Sequence, residues 1–271
     1  MQTFDGFVSQ SRSRVSQWDK RATVRSAPER VTKQINSALP KDLVPITKHT
    51  IVRNLPNESV ECLQQLALIR FLSFTHKLEL LVVNQVTQRI ALGEYTDLNI
   101  SSEMQLDAHR IYIDEAYHAY FCFQLLQGME HKQFHSAIPA FHTRITDILE
   151  SAPNEHRQLL ELLAVIVSET LITDMLKHVG KHKQLDDQVR LTIKDHSVDE
   201  ARHSVFYQSF LDHIWVRLSK AQHEIILEYA PKFVLAYVSP DTNLMIQEMG
   251  LIGISKSKAL ECLHETYPSR S

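Results

Sequence analysis

Glycine is scarce in this sequence. Six of 271 residues are glycine, whereas sheet-rich and loop-rich proteins use glycine at turns and bulges. The scarcity favours long helices joined by short connections. Cysteine is also rare: Cys62, Cys122 and Cys262 lie far apart, and an odd number cannot all pair within one chain. This usage predicts reduced thiols and a cytoplasmic setting.

Long hydrophobic runs are absent as well. No apolar run approaches the ~20 residues of a membrane helix, and residues 1–14 lack the apolar core of a signal peptide. The net charge of -3 provides no basic excess for nucleic acid or a membrane surface. We therefore expect neither of those partners. Since 44% of the residues are hydrophobic, the chain can bury one sizeable core, and we expect a single domain over residues 1–271.

The distribution of proline predicts where the helices lie. A cluster of prolines ends at Pro56. The middle of the chain is bounded by Pro139 and Pro153, and no further proline occurs before Pro231. Because proline disrupts a helix interior, long helices belong in the proline-free windows. The predicted segments are 57–92, 101–126, 154–179 and 185–218, with a shorter helix over 139–150.

The ends of these segments carry stop signals. Gly93 follows the first segment and Gly180 the third, as expected for residues that end helices. Beyond Pro231 we expect short helices broken by Pro240 and Gly250. The predicted fold is all-α: a four-helix bundle over roughly 57–218, with extra N- and C-terminal helices.

The pattern D-E-A-x-H occurs twice, once in the second segment and once in the fourth. On a helix, positions i and i+3 lie on the same face. The pairs Glu115–His118 and Glu200–His203 can therefore each offer an oxygen and a nitrogen to one metal ion. A single E-x-x-H usually marks a solvated helix face, but two copies in alternate helices indicate a shared site.

The other two long segments each contain an acid in an apolar stretch, Glu79 and Glu169. Either acid alone could pair with a base, as Glu79 could with the nearby Lys77. An unpaired buried charge would cost about 3–5 kcal/mol, and two cations would remove that cost. Ferritin-like di-iron bundles use two E-x-x-H motifs and one glutamate from each remaining helix. The sequence therefore predicts a two-metal site.

His196 adds a third imidazole. It lies four residues before Glu200 and seven before His203, so helical geometry places all three on one face. Tyr207 continues this face one turn later, although a tyrosine there is more typical of core packing. A histidine such as His196 alone is more often a polar surface or core-edge residue, but on this face it offers one nitrogen more than the common six-ligand site has.

Two aspartates, Asp114 and Asp199, each precede the glutamate of a D-E-A-x-H motif. Metal-binding histidines usually donate their second ring N–H to a carboxylate, carbonyl or water. We expect both aspartates to orient the histidines. The sequence leaves open which aspartate meets which histidine.

The order of these residues resembles that of the AurF-type di-iron N-oxygenases, which oxidise aromatic amines such as p-aminobenzoate to nitro compounds. That family differs from most ferritin-like oxygenases by its third histidine ligand, which His196 matches. The resemblance in motif order covers roughly residues 79–203. It implies a ferritin-like fold, two iron ions, dioxygen as co-substrate, a small-molecule substrate and an external electron donor. The implied ligands are Glu79, Glu115, His118, Glu169, His196, Glu200 and His203.

Three functions remain open. Carboxylate and imidazole donors suit iron, with manganese also possible, and the lack of thiolate ligands argues against an iron–sulfur centre. The first function is an oxygenase acting on an amine nitrogen. The second is a ferritin-like protein that oxidises or stores metal, and the third is an oxidase acting on carbon. Residues 219–271 could wall a substrate pocket, which favours an enzyme. A homodimer is compatible with each.

Overall fold

The computed structural model describes residues 15, 17–31, 34–131 and 138–268. These residues form helices and no β-strand, which confirms the all-α prediction. No helix in this part of the chain combines the length and apolar character needed to cross a membrane. In chain order the helices are α1 (Trp18–Arg21), α2 (Thr23–Ser26), α3 (Thr50–Arg53), α4 (Asn57–Leu78), α5 (Asn84–Leu92), α6 (Ser102–Gln127), α7 (Ala140–Ser151), α8 (Arg157–Val179), α9 (Asp187–Trp215), α10 (Lys220–Val238), α11 (Thr242–Leu251) and α12 (Lys256–Thr266).

Two helical hairpins form the bundle. α4 and α5, which are continuous through one irregular turn, pack on α6, and α8 packs on α9. Contacts between α6 and α9 and between α5 and α8 join the two hairpins. This is the ferritin-like arrangement of four long helices. Each of the four predicted segments contains one of them, and the boundaries differ by a few residues.

Local signals explain where the helices begin and end. The side chains of Ser101, Asp186 and Ser219 each accept a backbone N–H in the first turn of α6, α9 and α10, which satisfies donors that a helix start leaves free. Gly93 ends α5 in the left-handed region, at φ 71. A glycine adopts that conformation without steric cost, so the predicted stop at Gly93 is confirmed.

The turn between α4 and α5 is π-helical and spans Glu79–Val83. The N–H of Asn84 donates to the carbonyl of Glu79, five residues earlier. Such turns are rare, insert one extra residue into an α-helix, and are frequent at functional sites. Here the turn begins at a predicted ligand. The turn was not predicted from the sequence.

The expectation of short helices after Pro231 is wrong for the first of them, because α10 continues through this proline. Pro231 lacks the N–H that would bond to the carbonyl of Leu227. Both residues are exposed, so water can reach the freed carbonyl. The opposite face of α10 buries Tyr229 and Phe233, and this packing offsets the lost hydrogen bond.

The C-terminal helices cover one side of the bundle. α10 packs on α7 and α8, whereas α11 packs on α12 and α4. Pro240 separates α10 from α11 as predicted, but Gly250 lies inside α11. The chain instead turns at Gly253, where φ is 82.

Candidate metal centre

The predicted ligands converge in the middle of the bundle. The turn after α4 and the helices α6, α8 and α9 all contribute to this cluster. None of the seven side chains is more than 1% exposed. They are Glu79, Glu115, His118, Glu169, His196, Glu200 and His203.

Two groups of potential ligands lie side by side and share two acids. In each group the ligand atoms lie within 4.8 Å of one another. The first group is Glu115, His118, His196 and Glu200, and the second is Glu115, Glu169, Glu200 and His203. Glu79 lies on the side of the first group, with Oε1 3.7 Å from His196 Nε2. Glu115 and Glu200 belong to both groups, so these two acids connect them.

The two E-x-x-H histidines point the same ring atom towards the shared acids. His118 Nδ1 lies 2.7 Å from Glu115 and 3.2 Å from Glu200. His203 Nδ1 lies 2.8 Å from Glu115 and 3.4 Å from Glu200. In both rings Nδ1 is therefore the atom available to a metal ion, and Nε2 points away from the centre.

The aspartates meet the histidines in crossed pairs. His118 Nε2 lies 3.2 Å from Asp199 Oδ2, and His203 Nε2 lies 3.1 Å from Asp114 Oδ2. Each pair joins α6 to α9 rather than two residues of one helix. An ionised aspartate accepts the Nε2–H, which fixes the ring and leaves Nδ1 free to bind metal. The sequence left open which aspartate meets which histidine, and the structure pairs His118 with Asp199 and His203 with Asp114.

The N-terminal helices hold both aspartates from outside. Trp18 Nε1–H donates to Asp114 Oδ1 at 2.9 Å. The backbone N–H of Thr23, at the start of α2, donates to Asp199 Oδ2 at 3.1 Å. No sequence pattern predicts either contact. Helices α1 and α2 therefore extend the hydrogen-bonded network of the centre towards the surface.

Arg202 gives one aspartate a further partner. It occupies the variable position of the second D-E-A-x-H motif and forms an ion pair with Asp199. Burial acts to raise the pKa of Asp199, but the hydrogen bond and positive charge of His118 outweigh it and hold this pKa at about 2. Asp199 is therefore ionised. The i+3 spacing of Arg202 from Asp199 is a sequence signal that could have identified this contact.

Two of the acids, Glu79 and Glu169, have no hydrogen-bond partner for either buried side-chain oxygen among the described residues. Burial, and then the charges of Glu115 and Glu200, raise the pKa of both acids well above the usual range. Buried polar atoms without partners are costly and rare. Two divalent cations would supply the missing partners, so these residues fit a two-metal centre.

The imidazoles differ in charge. Burial acts to lower the pKa of His118 and His203, but the carboxylate of Glu115 raises both well above the usual range. Burial and then the positive charge of His118 lower the pKa of His196. His196 is therefore a neutral imidazole, which is the protonation state that binds metal.

Tyr207 is fully buried in α9 one turn beyond His203. Its hydroxyl lies 2.6 Å from Thr87 Oγ1 in α5. Burial, and then the nearby Glu169, raise its pKa well above the usual range. Tyr207 thus remains a protonated phenol that ties α9 to α5 beside the centre.

A cleft of about 670 Å³ lies between α4, α7, α10 and α11, and α8 contributes Met175 to its wall. Phe74 and Phe141 form part of its wall, with ring centroids 4.6 Å apart. Tyr237 also lines the cleft, and its hydroxyl donates to the carbonyl of Ala164 in α8 at 2.9 Å. Burial raises the pKa of Tyr237, and the carboxylate of Glu169 adds to the rise. Tyr237 therefore links the cleft wall to α8, the helix that carries Glu169, whereas none of the seven candidate ligands lines the cleft itself.

Comparison with known proteins identifies a family. The family model for p-aminobenzoate N-oxygenase AurF matches residues 12–261 of the 271. A search of curated proteins finds no significant match to this chain. The match spans the bundle and most of the terminal helices, well beyond the segment on which the motif resemblance rested. The chain belongs to the p-aminobenzoate N-oxygenase AurF family, whose members are di-iron oxygenases.

Proposed function

We propose that this protein holds two iron ions between its four long helices and uses dioxygen to oxidise the nitrogen of a small amine. The observation that carries the proposal is the pair of ligand groups that share Glu115 and Glu200 and include the third histidine, His196. Family membership supports it independently. The donors are carboxylate oxygens and imidazole nitrogens, which suit iron and also accept manganese.

Each iron ion would have its own set of residues. Glu115 and Glu200 would contact both ions, because they belong to both ligand groups. The remaining ligands would be Glu79, His118 and His196 on one side, and Glu169 and His203 on the other. When bound, the iron pair supplies the oxidising chemistry with electrons from an external donor.

The protein's own residues would orient the ligands and exclude water. Asp114 and Asp199 each accept an Nε2–H and so hold a histidine ring in place. Phe121 packs against the rings of His118 and His196, with centroid distances of 5.4 Å. This apolar ring limits the access of bulk water to the ligands.

The cleft is the proposed route and binding space for the substrate. Its volume of about 670 Å³ lies within the range of small-molecule sites, roughly 300–1,000 Å³. Aromatic side chains such as Phe74, Phe141 and Tyr237 suit a planar apolar ring. A protein that only stores metal needs a path for ions rather than such a cleft, so the cleft favours an organic substrate.

The test is a single turnover with labelled oxygen. Iron-loaded, chemically reduced protein is mixed with ¹⁸O₂ and a panel of aromatic and aliphatic amines, and the products are identified by mass spectrometry. We expect ¹⁸O on the nitrogen of at least one amine. Glu200→Ala should give no product, whereas Glu155→Ala, an exposed control, should behave like the parent.

Other outcomes would assign a different function. Label on carbon with every active substrate would indicate an oxidase or hydroxylase acting on carbon. Uptake of many iron ions per chain without oxidation of any compound would indicate metal storage. Either result would reject the proposed reaction at nitrogen.

A further inference from the structure

A separate group of potential ligands lies on the surface where α8 ends. It consists of Asp42, His178 and His182, whose ligand atoms lie within 4.8 Å of one another. His182 Nε2 lies 3.6 Å from Asp42 Oδ2, and the two imidazole centroids are 5.5 Å apart. None of these residues belongs to the metal centre in the bundle. Their exposure makes the group accessible to an ion from solution.

The local backbone explains why these side chains meet. α8 ends one residue before Gly180, and the next turn leads into α9. A Cβ at Gly180 would lie 3.2 Å from the carbonyl oxygen of Leu176, which is tighter than most side chains tolerate, so glycine suits this turn. The tight turn brings His182 back beside His178. Asp42 reaches them from a short 3₁₀ helix in the N-terminal part of the chain.

We propose that Asp42, His178 and His182 form a mononuclear site for zinc or a similar divalent transition metal. Two imidazole nitrogens and one carboxylate oxygen are a three-ligand set that zinc accepts, with water at the fourth position. Neighbouring positive charges reduce the affinity, so the site binds metal reversibly rather than permanently. These charges belong to Lys41, Lys181 and Lys183.

Binding at this site would act on the rim of the cleft. Leu43 and Val44, which directly follow Asp42, line the cleft. Met175, which is one helical turn before His178, also lines it. A metal ion would therefore tie the N-terminal segment to α8 at the edge of the cleft and restrict the movement of that rim.

Zinc titration of the iron-loaded protein tests the site. Zinc and iron per chain are measured by elemental analysis after removal of unbound metal. We expect one zinc ion in addition to the bound iron in the parent. His178→Ala and His182→Ala should each lose this zinc. His109→Ala, which removes an exposed histidine of α6, should retain it.

Hydrogen exchange tests the effect on the cleft rim. Zinc should slow amide exchange over residues 39–48 in the parent and leave it unchanged in Asp42→Ala. The proposal would be overturned if His178→Ala and His182→Ala both retain the additional zinc. It would also be overturned if zinc enters the protein only by displacing iron. Equal exchange with and without zinc in the parent would reject the link between the metal and the rim.

Discussion

The indole of Trp18 links the N-terminal helix α1 to the metal centre. Its Nε1–H donates to one oxygen of Asp114, and the other oxygen of Asp114 meets His203 Nε2. The substitution Trp18→Phe keeps an aromatic ring in place but removes the donor. Asp114 then loses one of the contacts that hold it against His203. We expect a weaker metal centre as a result.

The size of the effect follows from the character of this hydrogen bond. Trp18 is 9% exposed, so water replaces the lost donor poorly. A hydrogen bond to a charged group contributes about 1.5–3 kcal/mol to stability. Loss of a partner that orients a metal-binding histidine typically weakens metal affinity by about 10–100-fold, which corresponds to roughly 1.4–2.8 kcal/mol. Trp18 acts on His203 only through Asp114, so we expect Trp18→Phe to lose metal affinity at the lower end of that range.

Two measurements separate metal affinity from fold stability. Anaerobic competition between the protein and a chelating dye gives the affinity for Fe²⁺, and urea unfolding of the metal-free protein gives the stability. Trp215→Phe is the matched control, because the chain contains two tryptophans and Trp215 is 37% exposed at the end of α9. The control should bind Fe²⁺ like the parent.

A particular result would refute this reasoning. If Trp18→Phe binds Fe²⁺ as tightly as Trp215→Phe, then His203 alone sets the orientation of Asp114. If stability falls but metal affinity does not, α1 serves the fold and not the metal centre.

Three further predictions concern the ligands themselves. Glu115→Ala and Glu200→Ala should each lose bound iron and activity together in elemental analysis and turnover assays, because each acid contacts both proposed ion positions; unchanged iron would exclude that role. His196→Ala retains six other ligands and should still bind iron, but stopped-flow spectra on mixing with dioxygen should differ from those of the parent; identical spectra would mean that His196 is not a ligand. The raised pKa values of Glu79 and Glu169 favour the protonated form of both acids in the metal-free protein, so metal uptake should release protons and weaken as pH falls. Calorimetry in buffers of different ionisation enthalpy measures that release, and a buffer-independent heat would contradict it.

The ligands could be predicted from sequence because helical spacing is a local property. Glu200 and His203 share a face in any α-helix, whatever surrounds it. The apolar neighbours of Glu79 and Glu169 likewise show that both acids are buried, without knowledge of the fold. The long helices could be located for the same reason, since proline positions and N-terminal capping residues act over a few residues. Convergence of the seven side chains then required only that two hairpins face each other.

Other features depend on contacts between distant parts of the chain. Trp18 and Asp114 are 96 positions apart, and Thr23 and Asp199 are 176 apart. Nothing in the local sequence of either partner specifies the other. The position of Pro231 inside α10 depends in the same way on tertiary packing, because burial of the opposite helix face compensates for the lost hydrogen bond. Local rules alone therefore misplaced a helix boundary there.

The π-helical turn has a consequence for the comparison of this chain with its relatives. Each residue rotates an α-helix by about 100°, so the extra residue in Glu79–Val83 changes the phase between α4 and α5. Without the extra residue, a regular helix could direct the Glu79 side chain towards the metal centre or direct the buried face of α5 towards α6, but it could not do both. The number of residues from Glu79 to Gly93 is therefore constrained. A relative that is one residue shorter there needs a different acid or a different helix packing, and an alignment gap in this turn carries structural meaning that a gap in a loop does not.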